Sequence, residues 1–342
     1  MCVYGKNREI ITRIIDSCAQ EHPCRFEACY GKPMAALTTF RAGGPADCWL
    51  RPAGGEVRFP ESAAGYEQSA DGSGEGFPEF TASVLAAARA EGVPVFVLGG
   101  GANILVSDLG IRGIVLDTGG WAGETGQGQK GVMRFLAGTS LDAAAEIAAE
   151  AGLSGLEFLA GMPGSIGGAV WMNARCYGRE IADVLIETDV MRYSGPNLGR
   201  LRLPAHTDEF GYKRSPFQSG DFLILSASFR LTHDETRNIR ARMDANRADR
   251  TAKGHYRFPS AGSVFKNNQS FGKPTGKIIE ELGLRGLQKG GAQIAPWHGN
   301  IIVNTGSAAA SDIRALIDEV AARVKAATGF MLEPEIIFAG EW

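Results

Sequence analysis

Residues 155–178 read GLEFLAGMPGSIGGAVWMNARCYG. Within that run Gly161, Gly164, Gly167, Gly168 and Gly178 are interleaved with Pro163, small residues and one apolar segment. So many residues without a Cβ, outside any low-complexity tract, mean that the backbone approaches something closely or adopts positive φ repeatedly. Peptide N–H groups gathered in this way form concavities suited to a phosphate or an electron-rich ring edge. The stretch reads as a ligand cradle rather than as an ordinary tight loop between two helices.

Upstream, an apolar strand over 93–98 runs into Gly99, Gly100, Gly101, Ala102 and Asn103, a junction of the type that holds a pyrophosphate. Asp117, ending the next strand (113–117), adds to a Rossmann reading. Two features oppose it. Ile104 stands where the third glycine of G-x-G-x-x-G lets helix and strand pack tightly, and 103–106 continue as an apolar segment without helical period. A different nucleotide-binding loop is predicted.

At 342 residues the chain divides into two or three lobes. Hydrophobic residues make up 44% and charged residues 21%, as in ordinary globular proteins. A net charge of −3 gives no general field for nucleic acid or an anionic membrane, so neither is an expected partner. No apolar run approaches the roughly 20 residues of a membrane span, and the N-terminus lacks the pattern of a signal peptide. Cys18, Cys24 and Cys29 lack the paired C-x2-C spacing of zinc sites, and the five histidines show no pair at ligand spacing. Reduced thiols, a cytoplasmic location and no metal are predicted.

The remaining pattern is α+β. Ile10, Ile11, Ile14, Ile15 and Cys18 mark one face of an N-terminal helix, followed by an irregular lead-in to 36. Residues 52–80 are rich in Gly, Ser, Pro and Glu and read as a solvated surface insertion. Helices are predicted over 81–91, over 141–151 with Ser140 as cap, over 234–250 as a charge-laced solvated face, over 275–282, and from Ser311 as cap onward. Strands are predicted over 132–137, 184–192, 222–231 and 300–305, with a polar stretch containing FGYKRS (210–215) between the second and third.

With these residues in view, the chain resembles the UDP-N-acetylenolpyruvoylglucosamine reductases, flavoenzymes of bacterial cell-wall precursor synthesis. The resemblance spans roughly 37–340. Its motifs are TTFRAGGPA (38–46), LGGGANILVSD (98–108), the run 155–178, FGYKRS (210–215), PSAGSVFKN (259–267), GGAQIAPWHGNIIVN (290–304) and LEPEI (332–336). It implies a flavin-binding fold of the vanillyl-alcohol-oxidase (PCMH) type in two subdomains, about 37–118 and 119–232. A C-terminal α/β substrate domain over 233–342 and a helical extension over 1–36 complete the expected division. The short connection from Leu231 to the helix at Asp234 matches the loop-less, type II-like subgroup. FAD bound non-covalently, NADPH as co-substrate, a UDP-sugar substrate and a monomeric state are the implied properties. The alternatives are a flavin oxidase of the same fold, or a flavin- or UDP-sugar-binding protein with impaired turnover.

The family's reaction takes hydride from reduced flavin to the enolpyruvyl C3 and a proton to C2. By carry-over Ser263 donates that proton, which a serine can do to a strongly basic carbon within hydrogen-bond reach. Glu335 polarises the substrate carboxylate and must be protonated or paired to do so; Glu333 is structural. The family has Arg directly after Phe-Gly-Tyr, whereas here Lys213 holds that slot and Arg214 follows. Lys lacks the planar two-bond fork of Arg. If 210–215 is a strand, neighbouring side chains face opposite ways, which favours Lys213. The cofactor would be held by Arg41, Gly99, Gly100, Gly101, Ala102, Asn103, Leu105, Gly161, Pro163, Gly164, Ser165, Gly167, Gly168 and Asn173. The substrate would meet Tyr177, Arg214, Lys266 and Asn267. Arg175 and Cys176 replace Gly and Ala of the family pattern; Cys176 reads as a small packed thiol, and Arg175 requires a φ compatible with a side chain.

Overall fold

The computed structural model describes residues 4–52, 77–127, 131–195 and 198–342. It is α+β and divides into two units with interleaved sequence. Unit one comprises Met1–Tyr30, Asp47–Gly100 and Gly113–Arg247; unit two comprises Gly31–Ala46, Gly101–Arg112 and Ala248–Trp342.

Unit one has two apolar cores. In the first, α1 (Tyr4–Glu21) buries Ile11, Ile14, Ile15 and Cys18 of the predicted face against Phe80, Val84, Leu85 and Ala88 of α2 (Phe77–Ala90), with Ile10 only partly buried. Cys48, Leu50, Ile114 and Leu116 complete it from a sheet ordered Phe26–Pro33, Pro45–Pro52, Ile111–Asp117, Val95–Leu98. The lead-in expected to be irregular is thus a strand, and α2 begins four residues before the predicted start. Most of the 52–80 insertion, 53–76, lies outside the described residues. Burial pushes the Cys24 and Cys48 thiols up to about 12, so neither is a thiolate at neutral pH.

The second core lies between a five-stranded antiparallel sheet and the helices α3 (Leu141–Glu150) and α4 (Ile166–Met172). The strand order is Gly199–Pro204, Leu185–Arg192, Phe222–Arg230, Val132–Leu136, Glu124–Gln127. Gly199–Pro204 escaped prediction because its burial alternates weakly and it pairs on one side only. Ser140 caps α3 as predicted, accepting from Ala143 N–H. On the sheet, Asp189 is 4% exposed and bonds to Arg200, Arg202 and Ser226. Burial raises its pKa, but these arginine contacts outweigh that and leave it below the ordinary carboxylate value.

The helix predicted over 234–250 is α5 (Thr236–Ala252), and it is more than a solvated face. Arg242 bonds Glu157, Asn246 Nδ2 donates to the Glu157 carbonyl, and Arg247 bonds Asp142 and Glu146. The helix therefore grips the segment leading into the glycine-rich run.

Unit two packs α6 (Thr275–Glu281) and α7 (Ala310–Thr328) around Phe40, Leu105, Val264, Phe265, Ile302 and Ile336. Ile337–Ala339 pairs in parallel with Ile104–Val106, and Ile302–Asn304 pairs with Ala292–Ile294. Ser311 does not cap α7. Ala309 is the N-cap, and Asp108, some two hundred residues earlier, accepts from Ala310 N–H at 2.7 Å and Ser311 N–H at 2.8 Å. Partial burial raises the Asp108 pKa, yet these bonds dominate and hold it below its ordinary value. Asp108→Ala should therefore lower stability by about 1–2 kcal/mol, read as a lower midpoint in urea with unchanged slope; an unchanged midpoint would show that solvent serves the helix end equally well.

Candidate functional site

In unit one the glycine-rich run turns sharply before α4. Gly164 has φ +136°, and Ser165, buried, caps the helix by accepting from Gly168 N–H at 3.4 Å. The same hydroxyl accepts from Gly100 N–H at 3.2 Å, so the loop after the strand Val95–Leu98 lies directly on the turn. A Cβ on Gly100 would stand 2.6 Å from Gly164 Cα and 2.7 Å from its carbonyl carbon. Two backbones touch here, which explains glycine in both loops.

Some donors expected to face a ligand are committed to the fold. Gly161 N–H goes to Asp142, Gly167 N–H goes to the Ala137 carbonyl, and Leu105 is a core residue. By contrast, the N–H groups of Gly164 and Ser165 in unit one, and of Ala102 and Asn103 in unit two, donate to no acceptor among the described residues. Uncommitted main-chain donors beside glycine turns fit the phosphate oxygens and ring heteroatoms of a flavin dinucleotide.

Past α4, Asn173 closes the helix at φ +45° and is fully buried. Its amide donates to Gly211 O and Glu180 and accepts from Ala182 N–H. Arg175–Cys176 and Arg179–Glu180 form a hairpin whose two turn residues, Tyr177 and Gly178, both have positive φ, the I′ geometry. Arg175 is in the strand with an ordinary φ, exposed opposite Glu180, which answers the question raised by its replacing a glycine. Cys176 packs against the apolar core. Tyr177 OH donates to the Asn246 carbonyl of α5 at 3.0 Å.

The segment 210–215 is not a strand, so the alternation argument for Lys213 does not apply. Gly211 and Arg214 exchange backbone bonds of 3.0 and 3.1 Å across a reverse turn with Lys213 at φ +58°. Ser215 Oγ and Gln218 Nε2 donate to Trp171 O, and Gln218 also bonds Lys213 O, fixing the turn to the end of α4. Lys213 is half-buried and Arg214 exposed over Gly211.

Unit two presents Ser263 in a short extended segment. Ser263 bridges Ile301, and Phe265 bridges Pro334. Glu335 N–H donates to Val264 O at 2.7 Å, and Asn103 Nδ2 donates to Glu335 O at 3.1 Å. Ser263, Glu335 and the loop residue Asn103 thus belong to one hydrogen-bonded assembly. Gly262 has φ +72° with open space where a Cβ would sit, so backbone conformation, not crowding, calls for glycine there. Lys266 pairs with Glu333 at 2.5 Å, and Asn267 Oδ1 accepts from Thr275 N–H at the start of α6. His298 Nδ1 accepts from Asn300 N–H; burial, reinforced by the positive charges of Arg250 and Lys253, pushes its neighbour His255 down to about 4. No group of three or more His, Cys, Asp or Glu among the described residues could hold a metal.

Four non-glycine residues among those described have positive φ: Arg41, Asn173, Tyr177 and Lys213. All four are candidate site residues. Left-handed backbone at such residues costs about 1–2 kcal/mol each and clusters where function holds it. The amide of buried Asn304 donates to Phe40 O and Arg41 O, fixing the first of them.

Comparison with known proteins agrees with this geometry. Residues 254–339 match the C-terminal domain of UDP-N-acetylenolpyruvoylglucosamine reductases, and residues 79–196 match an FAD binding domain. A UDP-N-acetylenolpyruvoylglucosamine reductase from Treponema denticola is 40% identical over 91% of this chain and 93% of its own length. The chain belongs to the UDP-N-acetylenolpyruvoylglucosamine reductase family. A second relative of that name, from Treponema pallidum, is 39% identical over 90% of this chain and 92% of its own. The crystal structure of the reductase from Thermus caldophilus superposes with a TM-score of 0.68 at 32% identity, covering 92% of this chain and 99% of that one. Membership accounts for the FAD-binding domain and the C-terminal domain together. No helix among the described residues is long and apolar enough to cross a membrane.

Proposed function

We propose that this chain reduces UDP-N-acetylglucosamine enolpyruvate to UDP-N-acetylmuramate with NADPH as reductant, as a cytoplasmic monomer. The observation that carries the reading is the assembly in unit two, where Glu335 is bonded through its backbone to Val264, beside Ser263, and to Asn103. A proton donor needs a fixed position against the carbon it protonates, and this assembly supplies rigidity around Ser263. Bound FAD, held by the main-chain donors of Gly164 and Ser165 beside Gly100, would supply the hydride chemistry. Ser263 would deliver the proton to C2. Glu335 would stabilise charge developing at the carboxylate.

The test is anaerobic. The flavoprotein is reduced with NADPH, then mixed with the enolpyruvyl substrate. Reoxidation of the flavin without oxygen is the expected result. A flavin that stays reduced until air is admitted would instead support an oxidase or a binder with impaired turnover.

Lys213 is the expected carboxylate partner, because it is half-buried whereas Arg214, in the same turn, is exposed. Lys213→Ala should lower turnover far more than Arg214→Ala. Lys213→Gly relieves left-handed strain of about 1 kcal/mol, which offsets the entropy of the added glycine. It should keep or raise the melting temperature while losing activity as severely as Lys213→Ala. Greater sensitivity at Arg214 in steady-state kinetics would reassign the role.

A further inference from the structure

The geometry points to Asn300 as a positioning residue for proton delivery by Ser263. This inference rests on the proposed reaction. Asn300 is 3% exposed and touches the serine segment with side chain and backbone together. Its Oδ1 accepts from Phe265 N–H at 2.9 Å, and its Nδ2 donates to Phe265 O at 2.8 Å. Its carbonyl accepts from Val264 N–H at 2.9 Å, and the next residue, Ile301, bridges Ser263 itself.

One side chain therefore captures both main-chain groups of Phe265, continuing at that residue the pairing that the backbone of 300–301 makes with Ser263 and Val264. On its other edge the segment is held by Glu335 N–H on Val264 O and by Lys266 N–H on Glu333 O at 2.9 Å. The two edges differ in character. The Glu335 edge consists of ordinary main-chain bonds, whereas the Asn300 edge has one main-chain bond, from Val264 N–H, and at Phe265 depends on one amide having both a donor and an acceptor. Asn300 is itself anchored, because its N–H donates to His298 Nδ1 at 3.1 Å.

Asn300→Asp keeps size and acceptor but sets a carboxylate oxygen against the Phe265 carbonyl. The segment then loses one bond and gains a repulsion, and Ser263, two residues away, loses its fixed place. Ser263 would be the reacting group; Asn300 touches neither substrate nor cofactor and acts only through it.

The test compares Asn300→Asp and Asn300→Ala with wild type, and then Asn300→Asp alone with Asn300→Asp in a Ser263→Ala background. Wild type must first show substrate-driven reoxidation of the reduced flavin; if it does not, the functional reading fails and not this one. Given that, both single variants should bind flavin with an unaltered visible spectrum and be reduced by NADPH within about twofold of wild type. Their reoxidation rate should fall about 10- to 100-fold, with KM for the enolpyruvyl substrate changed less than about threefold. In the Ser263→Ala background Asn300→Asp should cost less than about twofold more, since effects through one group are not additive. Equal loss in both backgrounds, equal loss in both half-reactions, or no loss would overturn the inference. If Asn300→Ala does not fold, Asn300→Asp, closer in shape, gives the same comparison.

Discussion

Ser263→Ala is expected to take electrons from NADPH at the wild-type rate and to fail in passing them to the enolpyruvyl substrate. A positioned general acid contributes about 10²–10⁴-fold, so reoxidation should slow by roughly 10³-fold. The reductive half-reaction, which moves no proton to the substrate carbon, should stay within about twofold. Ser263 lies opposite Ile301 in a segment held, through Val264, by backbone bonds to Glu335 and Asn300. Removing one hydroxyl leaves those bonds intact, so stability should change by no more than about 0.5 kcal/mol. Stopped-flow absorbance of the two half-reactions separates the outcomes. Wild-type reoxidation in the variant would remove Ser263 from the mechanism and leave protonation to another group or to water.

Gly100→Ala should be lost at an earlier stage. The new Cβ would meet Gly164 Cα at 2.6 Å, its carbonyl carbon at 2.7 Å and Ser165 N at 3.0 Å. These are backbone atoms on a turn that also caps α4, so no flexible side chain can yield. Forcing the loops apart should cost about 1–3 kcal/mol and break the bond from Gly100 N–H to Ser165 Oγ. It should also displace the uncommitted N–H groups of Gly164 and Ser165. The purified variant is expected to carry little flavin, measured as the ratio of visible to ultraviolet absorbance, and to melt at lower temperature. A full complement of flavin at an unchanged melting temperature would mean that the two loops are not packed as described.

Much of this was legible in the linear chain. The face Ile11, Ile14, Ile15 and Cys18 is a helical period and became the buried face of α1. Ser140 before a small-residue helix is a cap signal and is the cap. Glycine clusters at 99–101 and 161–168 announced close backbone approach, and the backbones do touch. Such signals are local: a period, a cap or a missing Cβ acts within a few residues.

Other features depend on partners far apart in sequence. Lys213 looked like part of an extended segment, but its turn is held by Ser215 and Gln218 on Trp171, some forty residues earlier. Ser311 had the residue type of a cap, yet Asp108 supplies the acceptors. Asn300 and Asn304 lie in the motif 290–304, but nothing in the linear chain gave either a role, because an asparagine's value as a clamp lies in which backbone it meets. By itself the sequence determined the apolar face of α1, the Ser140 cap and where glycine had to stand, since these follow from the conformational limits of neighbouring residues. Only the tertiary structure decided which donors remain uncommitted, which residues hold left-handed backbone and what pins Ser263, because each depends on hydrogen bonds closed between distant segments.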